Sequence, residues 1–151
     1  MLYLFFKYLH LLGAIGWIGG LITLSWINWN LSRESSRQTL QSLSRFAAGF
    51  GPRFVGPAAL LTLLAGIATT RSGGLQFHQL WISLGFAAIA LSILLGATLI
   101  RATTKQLSGL LATEAGHEQE ITTTQRRLGS LNLLNLLILL AVAGVMVFKP
   151  V

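Results

Sequence analysis

Cysteine is absent from the 151-residue sequence, and charged residues make up only 10% of it. The lack of cysteine excludes disulfide bonds, thiolate metal sites, covalently attached c-type haem and cysteine nucleophiles. Soluble domains carry about 25% charged residues, so this composition lies outside the soluble class. Acidic residues are the scarcest, four against eleven Lys plus Arg. The sequence contains no nucleophile–base–acid set, no phosphate loop and no paired intramembrane carboxylates, which excludes hydrolase, kinase and proton-driven transporter chemistry.

Hydrophobic residues are abundant, at 53%, and the mean hydropathy is +0.68. They form four long apolar runs, and a helix needs about 20 such residues to cross about 30 Å of hydrocarbon. No strand-like alternation competes with these runs. The sequence therefore predicts an all-α integral membrane four-helix bundle. Residues 1–151 form one transmembrane domain, with spans at about residues 2–30, 54–71, 80–100 and 131–148.

Basic residues cluster in two of the three connections between the spans. The second connection holds only Arg71, whereas the first and third hold eight basic residues: Arg33, Arg37, Arg45, Arg53, Arg101, Lys105, Arg126 and Arg127. The positive-inside rule then places the first and third connections in the cytoplasm and both chain termini outside. This placement also accounts for the net charge of +7, so we expect the lipid bilayer and not nucleic acid as the partner.

Both basic connections contain stretches that predict interfacial helical segments. In the third connection, Leu107, Leu110, Leu111 and Ile121 would form an apolar stripe against the membrane interface, with Glu114, Glu118 and Glu120 facing water. Residues 40–50 in the first connection follow the same pattern.

Ionisable residues are rare inside the spans and are therefore candidates for function. Lys7 and His10 lie in the first span, and His78 stands just before the third. The predicted orientation puts both histidines on the outer side. Neutral imidazole nitrogens are good axial ligands for haem iron, so His10 and His78 predict a bis-histidine haem b site.

A stripe of residues at helical spacing surrounds His10 and would support such a site: Lys7, Gly13, Trp17 and Gly20. Gly16 and Gly20 form a GxxxG, which lets a helix or a flat ligand approach closely. Lys7 and Arg71 would pair with the haem propionates. The same residues leave other interpretations open: another metal or ligand, a histidine that only bonds a neighbouring helix, or glycines that only serve packing.

Four asparagines lie near the inner ends of the first and fourth spans: Asn28, Asn30, Asn132 and Asn135. They predict interhelical hydrogen bonds or helix caps, with an inner polar pocket as the alternative.

The stretch YLHLLGAIGWIGG, residues 8–20, resembles the opening helix of small bacterial membrane proteins related to the CopD copper-resistance domain and to HemJ-type protoporphyrinogen oxidase. In those families an early histidine precedes a Trp-x-Gly segment, here His10, Trp17 and Gly19. The resemblance implies a bacterial inner (cytoplasmic) membrane protein with either haem b on His10 or copper handling. HemJ has a lysine after the tryptophan of its third helix, whereas Ile82, Ser83 and Leu84 follow Trp81 here. Two methionines offer few soft ligands for copper.

These observations predict a b-type haem protein that transfers electrons or senses a small redox-active ligand near the outer face. A quinone or another small redox partner would serve the first role, and the glycine faces would suit a homodimer. A HemJ-like porphyrinogen oxidase and a cofactor-free structural or accessory subunit are the alternatives.

The predicted orientation can be tested with a topology reporter. A reporter fused after Val151 should read as external, because both heavily basic connections should be cytoplasmic. The same reporter inserted at Ser36, in the first connection, should read as internal. The opposite pair of results would reverse the two sides and would place His10 near the cytoplasm.

Overall fold

Four long helices make up the protein in a computed structural model that describes residues 1–34, 36–113 and 116–148. They are α1 (Leu2–Leu31), α2 (Arg37–Ser72), α3 (Leu80–Ala112) and α4 (Glu118–Phe148). Each is long and apolar enough to cross a membrane, and the described ranges contain no strand. The prediction of an all-α, four-helix membrane bundle is confirmed.

The helices form a ring in which α1 packs against α2 and α4, and α3 packs against α4. We call the end where α1 begins and α4 ends the terminal end, and the opposite end, which carries the eight basic residues of the first and third connections, the basic end. Helices α2 and α3 pack closely only toward the basic end, through residues 37–50 and 101–112. Their spanning parts barely touch, so the ring is more open toward the terminal end.

The outward faces of the spans are apolar, which suits hydrocarbon and not water. Large aliphatic side chains are exposed along all four helices, among them Leu11, Ile15, Leu60, Leu64, Leu91, Leu94, Leu133 and Leu137. In water such a continuous apolar surface would drive association. Trp26 and Trp29 are also exposed on α1 toward the basic end, where indole rings commonly sit at the lipid headgroups.

The segments predicted to be interfacial are helical, but each continues a spanning helix. Helix α2 has 36 residues and is therefore about 54 Å long, well beyond about 30 Å of hydrocarbon. The predicted stripe faces other helices and not the membrane: Leu107, Leu111 and Ile121 are all buried in the core. Neighbouring helices therefore cover this apolar face. Glu118 and Glu120 are exposed as expected, and Glu114 lies outside the described residues.

Two π-helical turns, Gly51–Val55 in α2 and Gly96–Ile100 in α3, join the spanning parts to these extensions. The α2 turn has a clear cause in Pro52 and Pro57. Proline has no N–H to donate to the carbonyl four residues back, so the helix widens there. The helix continues through the turn without a break.

Side chains from the start of α2 hold the end of α3. Arg37 donates hydrogen bonds to the carbonyl oxygens of Leu110 and Thr113 and lies 3.3 Å from the Glu118 carboxylate. Gln41 donates a 2.6 Å bond to the Leu111 carbonyl. Carbonyls at a helix C-terminus lack partners within the helix and carry partial negative charge, so a guanidinium and an amide satisfy them.

Helices α1 and α2 approach each other closely along most of their lengths. A Cβ added to Gly13 would lie 2.7 Å from Thr62 Oγ1 and 2.8 Å from the Thr62 backbone nitrogen. A Cβ on Gly20 would lie 2.8 Å from Val55 Cγ2. Only glycine permits this separation, as is common for helix pairs in membranes. The glycines of the predicted stripe therefore serve the contact between α1 and α2.

Replacement of Gly13 by alanine should push α1 away from α2, because the obstructing Thr62 backbone cannot rotate aside. We expect a loss of about 1–3 kcal/mol, the usual cost of overpacking. Gly19→Ala is the matched control, since a Cβ there meets nothing within 4 Å. Thermal unfolding in detergent compares the two variants with the wild type. Equal stability of the Gly13 and Gly19 variants would contradict the close contact.

Candidate functional site at the terminal end

His10 lies in the contact between α1 and α2 and is half-buried. Its Nδ1 is 2.8 Å from the carbonyl oxygen of Thr62. The ring also lies against Gly66, where an added Cβ would be 3.1 Å from Nδ1. The absence of a side chain at Gly66 therefore makes room for the imidazole.

The hydrogen bond to Thr62 determines which nitrogen of His10 carries the proton. A carbonyl oxygen only accepts, so Nδ1 must donate, and neutral His10 then presents an unprotonated Nε2. Among the described residues nothing forms a hydrogen bond with Nε2. Histidines that ligate metals usually donate their other ring N–H to a carbonyl or a carboxylate in this way. The His10 side chain thus fits the requirement for an axial haem ligand.

His78 lies in the connection between α2 and α3, where its side chain is exposed. Helix α1 packs against α2 and α4 and does not contact α3, the helix that His78 precedes. Both histidines belong to the terminal half of the bundle, as the sequence predicts. Their ligation of one iron stays a prediction.

The two predicted propionate partners are exposed at the terminal end. Lys7 Nζ lies 5.9 Å from the centre of the Tyr3 ring. Arg71 borders a surface groove of about 420 Å³ between α1 and α2, lined also by Leu2, Phe6, Leu64, Ile67, Ala68 and Ser72. Both cations can therefore reach a negatively charged group near this surface.

The remaining members of the predicted site have packing roles. Gly13 is covered by Thr62, and Trp17 is only 3% exposed within the core. The cofactor contacts predicted for Gly13 and Trp17 stay predictions. No group of three or more His, Asp or Glu side chains that could hold a metal ion occurs in residues 1–34, 36–113 and 116–148. The candidate protein ligands at this end are thus the individual histidines.

A second polar region, toward the basic end, is more extensive than the sequence indicates. Ser92 Oγ donates a hydrogen bond to Asn135 Oδ1, and both residues are buried. Asn28 and Asn132 are buried too, whereas the exposed Asn30 donates to the Trp26 carbonyl of its own helix. The interhelical hydrogen bond predicted for these asparagines is confirmed for Asn135. Ser92 was not among the expected partners, because a lone serine in an apolar run gives no distinctive signal.

Comparison with known proteins supports the membrane assignment and goes no further into function. No curated protein and no solved structure is measurably similar to this chain. A family model matches residues 4–150, nearly the whole sequence. The relation to CopD and HemJ gains no support from this match. The chain belongs to the family described as predicted integral membrane protein (DUF2269).

Proposed function

We propose that this multi-pass membrane protein binds haem b at its terminal end, with His10 as an axial ligand. The observation that carries the proposal is the bond from His10 Nδ1 to the Thr62 carbonyl. It leaves Nε2 as the ligating nitrogen and anchors the ring to a neighbouring helix. Rigid support of this kind holds a ligand in the orientation that the metal needs.

The surroundings of His10 are compatible with a large apolar cofactor. The spanning parts of α2 and α3 barely touch, which leaves the ring of helices more open at this end. Lys7 and Arg71 supply two cations near the surface, where propionates would lie. When bound, haem b supplies one-electron redox chemistry or an open coordination position for a small ligand. The protein's own contribution is to hold the imidazole, exclude water and pair the propionates.

An electron-transfer role also requires a partner. A lipid-soluble quinone is the natural class, because the exposed surface of the spans is apolar and faces the bilayer. The resemblance of residues 8–20 to bacterial membrane proteins favours the bacterial inner membrane as the location. A homodimer stays a prediction, since the glycines that suggested it contact α2 within one chain.

Loss of His10 should remove the haem. We expect His10→Ala to lower haem occupancy by more than about tenfold. Removal of a group that only hydrogen-bonds a metal ligand already lowers metal affinity by about 10–100-fold, and loss of the ligand itself should cost more. Occupancy is measured from the visible spectrum of protein purified after expression with ample haem. His117→Ala is the matched control, because His117 is exposed at the basic end.

Two further measurements separate ligation from folding. Imidazole added to His10→Gly should restore the haem spectrum if the side chain acts as a ligand, whereas a purely structural loss would not respond.

His78→Ala should convert a six-coordinate, low-spin haem into a five-coordinate, high-spin haem that binds carbon monoxide if His78 is the second ligand. A wild type that is already high-spin would remove His78 from the site. A colourless wild type would favour the cofactor-free structural role.

Lys7 and Arg71 should affect haem retention without changing its ligation. Exposed ion pairs contribute about 1 kcal/mol or less, so Lys7→Gln or Arg71→Gln should weaken haem binding by about fivefold at most. The coordination spectrum should stay the same, and the redox potential should shift. Lys105→Gln, an exposed change at the basic end, is the control. If both variants match this control in haem content and potential, the two cations serve only lipid contact and orientation.

A further inference from the structure

Two buried oxygen atoms near the basic end have no hydrogen-bond partner among the described residues. They are Oγ of Ser25 on α1 and Oδ1 of Asn132 on α4. Asn132 is only 2% exposed, and both atoms are inaccessible to solvent. A buried polar group without a partner costs about 1–3 kcal/mol, so two toward one end of the bundle call for a physical explanation.

The two atoms belong to the same level of the bundle. Gln125 on α4 donates a hydrogen bond to the Leu31 carbonyl on α1, which sets the register of these antiparallel helices. Two turns from this contact toward the terminal end, Asn132 on α4 is level with Leu24 and Ser25 on α1. The unpartnered oxygens thus lie at one depth, on adjacent helices.

Both π-helical turns begin at this same depth. The Ser92–Asn135 bond sets the register of α3 against α4. One turn from this bond toward the basic end, Gly96 on α3 is level with Asn132 on α4. The Gly20–Val55 contact sets the register of α1 against α2. One turn from this contact toward the basic end, Gly51 on α2 is level with Leu24 on α1. A Cβ added to Gly51 or Gly96 would meet nothing within 4 Å. Neither glycine is fully buried, and each continues the inward stripe of its helix.

We propose that this level is a hydration site, in which an internal water donates its two O–H bonds to Ser25 Oγ and Asn132 Oδ1. Water suits the site because both orphaned atoms can accept hydrogen bonds and both glycines of this level have open space where a side chain would lie. Internal waters typically satisfy buried polar groups in this way, making about three hydrogen bonds each. Asn135 and Ser92, already bonded to each other, form the adjacent wall.

A metal cation suits the site less well than water. The level contains serine and asparagine oxygens but no carboxylate to offset the charge of an ion. Among the described residues the basic end also carries eight Lys and Arg against three glutamates, so its potential opposes a cation.

Large apolar side chains are buried on both sides of the hydration site. Trp17, Leu21 and Leu139 lie toward the terminal end, and Leu31, Leu107 and Leu128 lie toward the basic end. Buried polar side chains lie among them, Ser92 and Asn135 on the first side and Asn28 and Gln125 on the second.

Hydroxyl-radical footprinting of the full-length protein tests for internal water, because radicals formed from a bound water oxidise the side chains beside it. Leu24 should be oxidised more than Leu107 and Leu139, which are buried on either side of the site. Asn132→Leu should abolish the excess oxidation, whereas Asn30→Leu, which changes an exposed asparagine, should not. Oxidation of Leu24 at or below the level of Leu107 overturns the proposal.

Stability measurements provide a second test that does not depend on any one variant folding. If one water bridges the two side chains, Ser25→Ala and Asn132→Leu should each lower the melting temperature in detergent. The double variant should melt no lower than the worse single variant, because the bridge is lost only once. A higher melting temperature for either single variant would indicate a dry site and overturn the proposal. Stabilisation of the wild type but not of Asn132→Leu by sodium or potassium would assign the site to a cation instead.

Discussion

The close approach of α1 and α2 is the contact on which the rest of the bundle depends. Lipid tails are as apolar as leucine side chains, so helices in a bilayer associate through packing and hydrogen bonds and not through burial from water. Gly13 and Gly20 let the two backbones come together over a long contact. That contact brings the Thr62 carbonyl within hydrogen-bonding distance of the His10 ring. The geometry of the proposed ligand thus follows from glycines that never touch a cofactor.

The four spans could be predicted from the sequence because length and hydropathy are enough to specify them. The environment of the amphipathic stretches could not be predicted from the sequence. Leu107 and Ile121 have the spacing of an interfacial stripe, yet they are buried within the helical extensions. A hydrophobic face indicates that something apolar covers it, and periodicity does not say whether that is lipid or a neighbouring helix. The packing of the helices against one another decides between the two.

The sequence shows only part of the surroundings of His10. His10 stands out as an ionisable residue within a span, and the sequence predicts its position in a helix. Its partner is a backbone carbonyl of Thr62, and backbone atoms leave no trace in a residue pattern. The sequence does not single out Ser25 and Ser92, because serine is common in membrane helices. Only their positions level with Asn132 and Asn135 distinguish them. Register between helices is a property of packing, which local sequence does not encode.

The two polar regions differ in what they can do. His10 carries a titratable nitrogen, lies half-exposed and belongs to the more open end of the ring, so an external ligand can reach it. The level of Ser25 and Asn132 contains only neutral groups. It lies about 22 Å from His10 along α1, because fifteen residues of helix separate the two at about 1.5 Å each. A neutral level at that distance can stabilise the register of the helices without influencing chemistry at His10. The bundle therefore combines an accessible histidine toward the terminal end with a neutral polar level, nearer the basic end, that holds the helices in place.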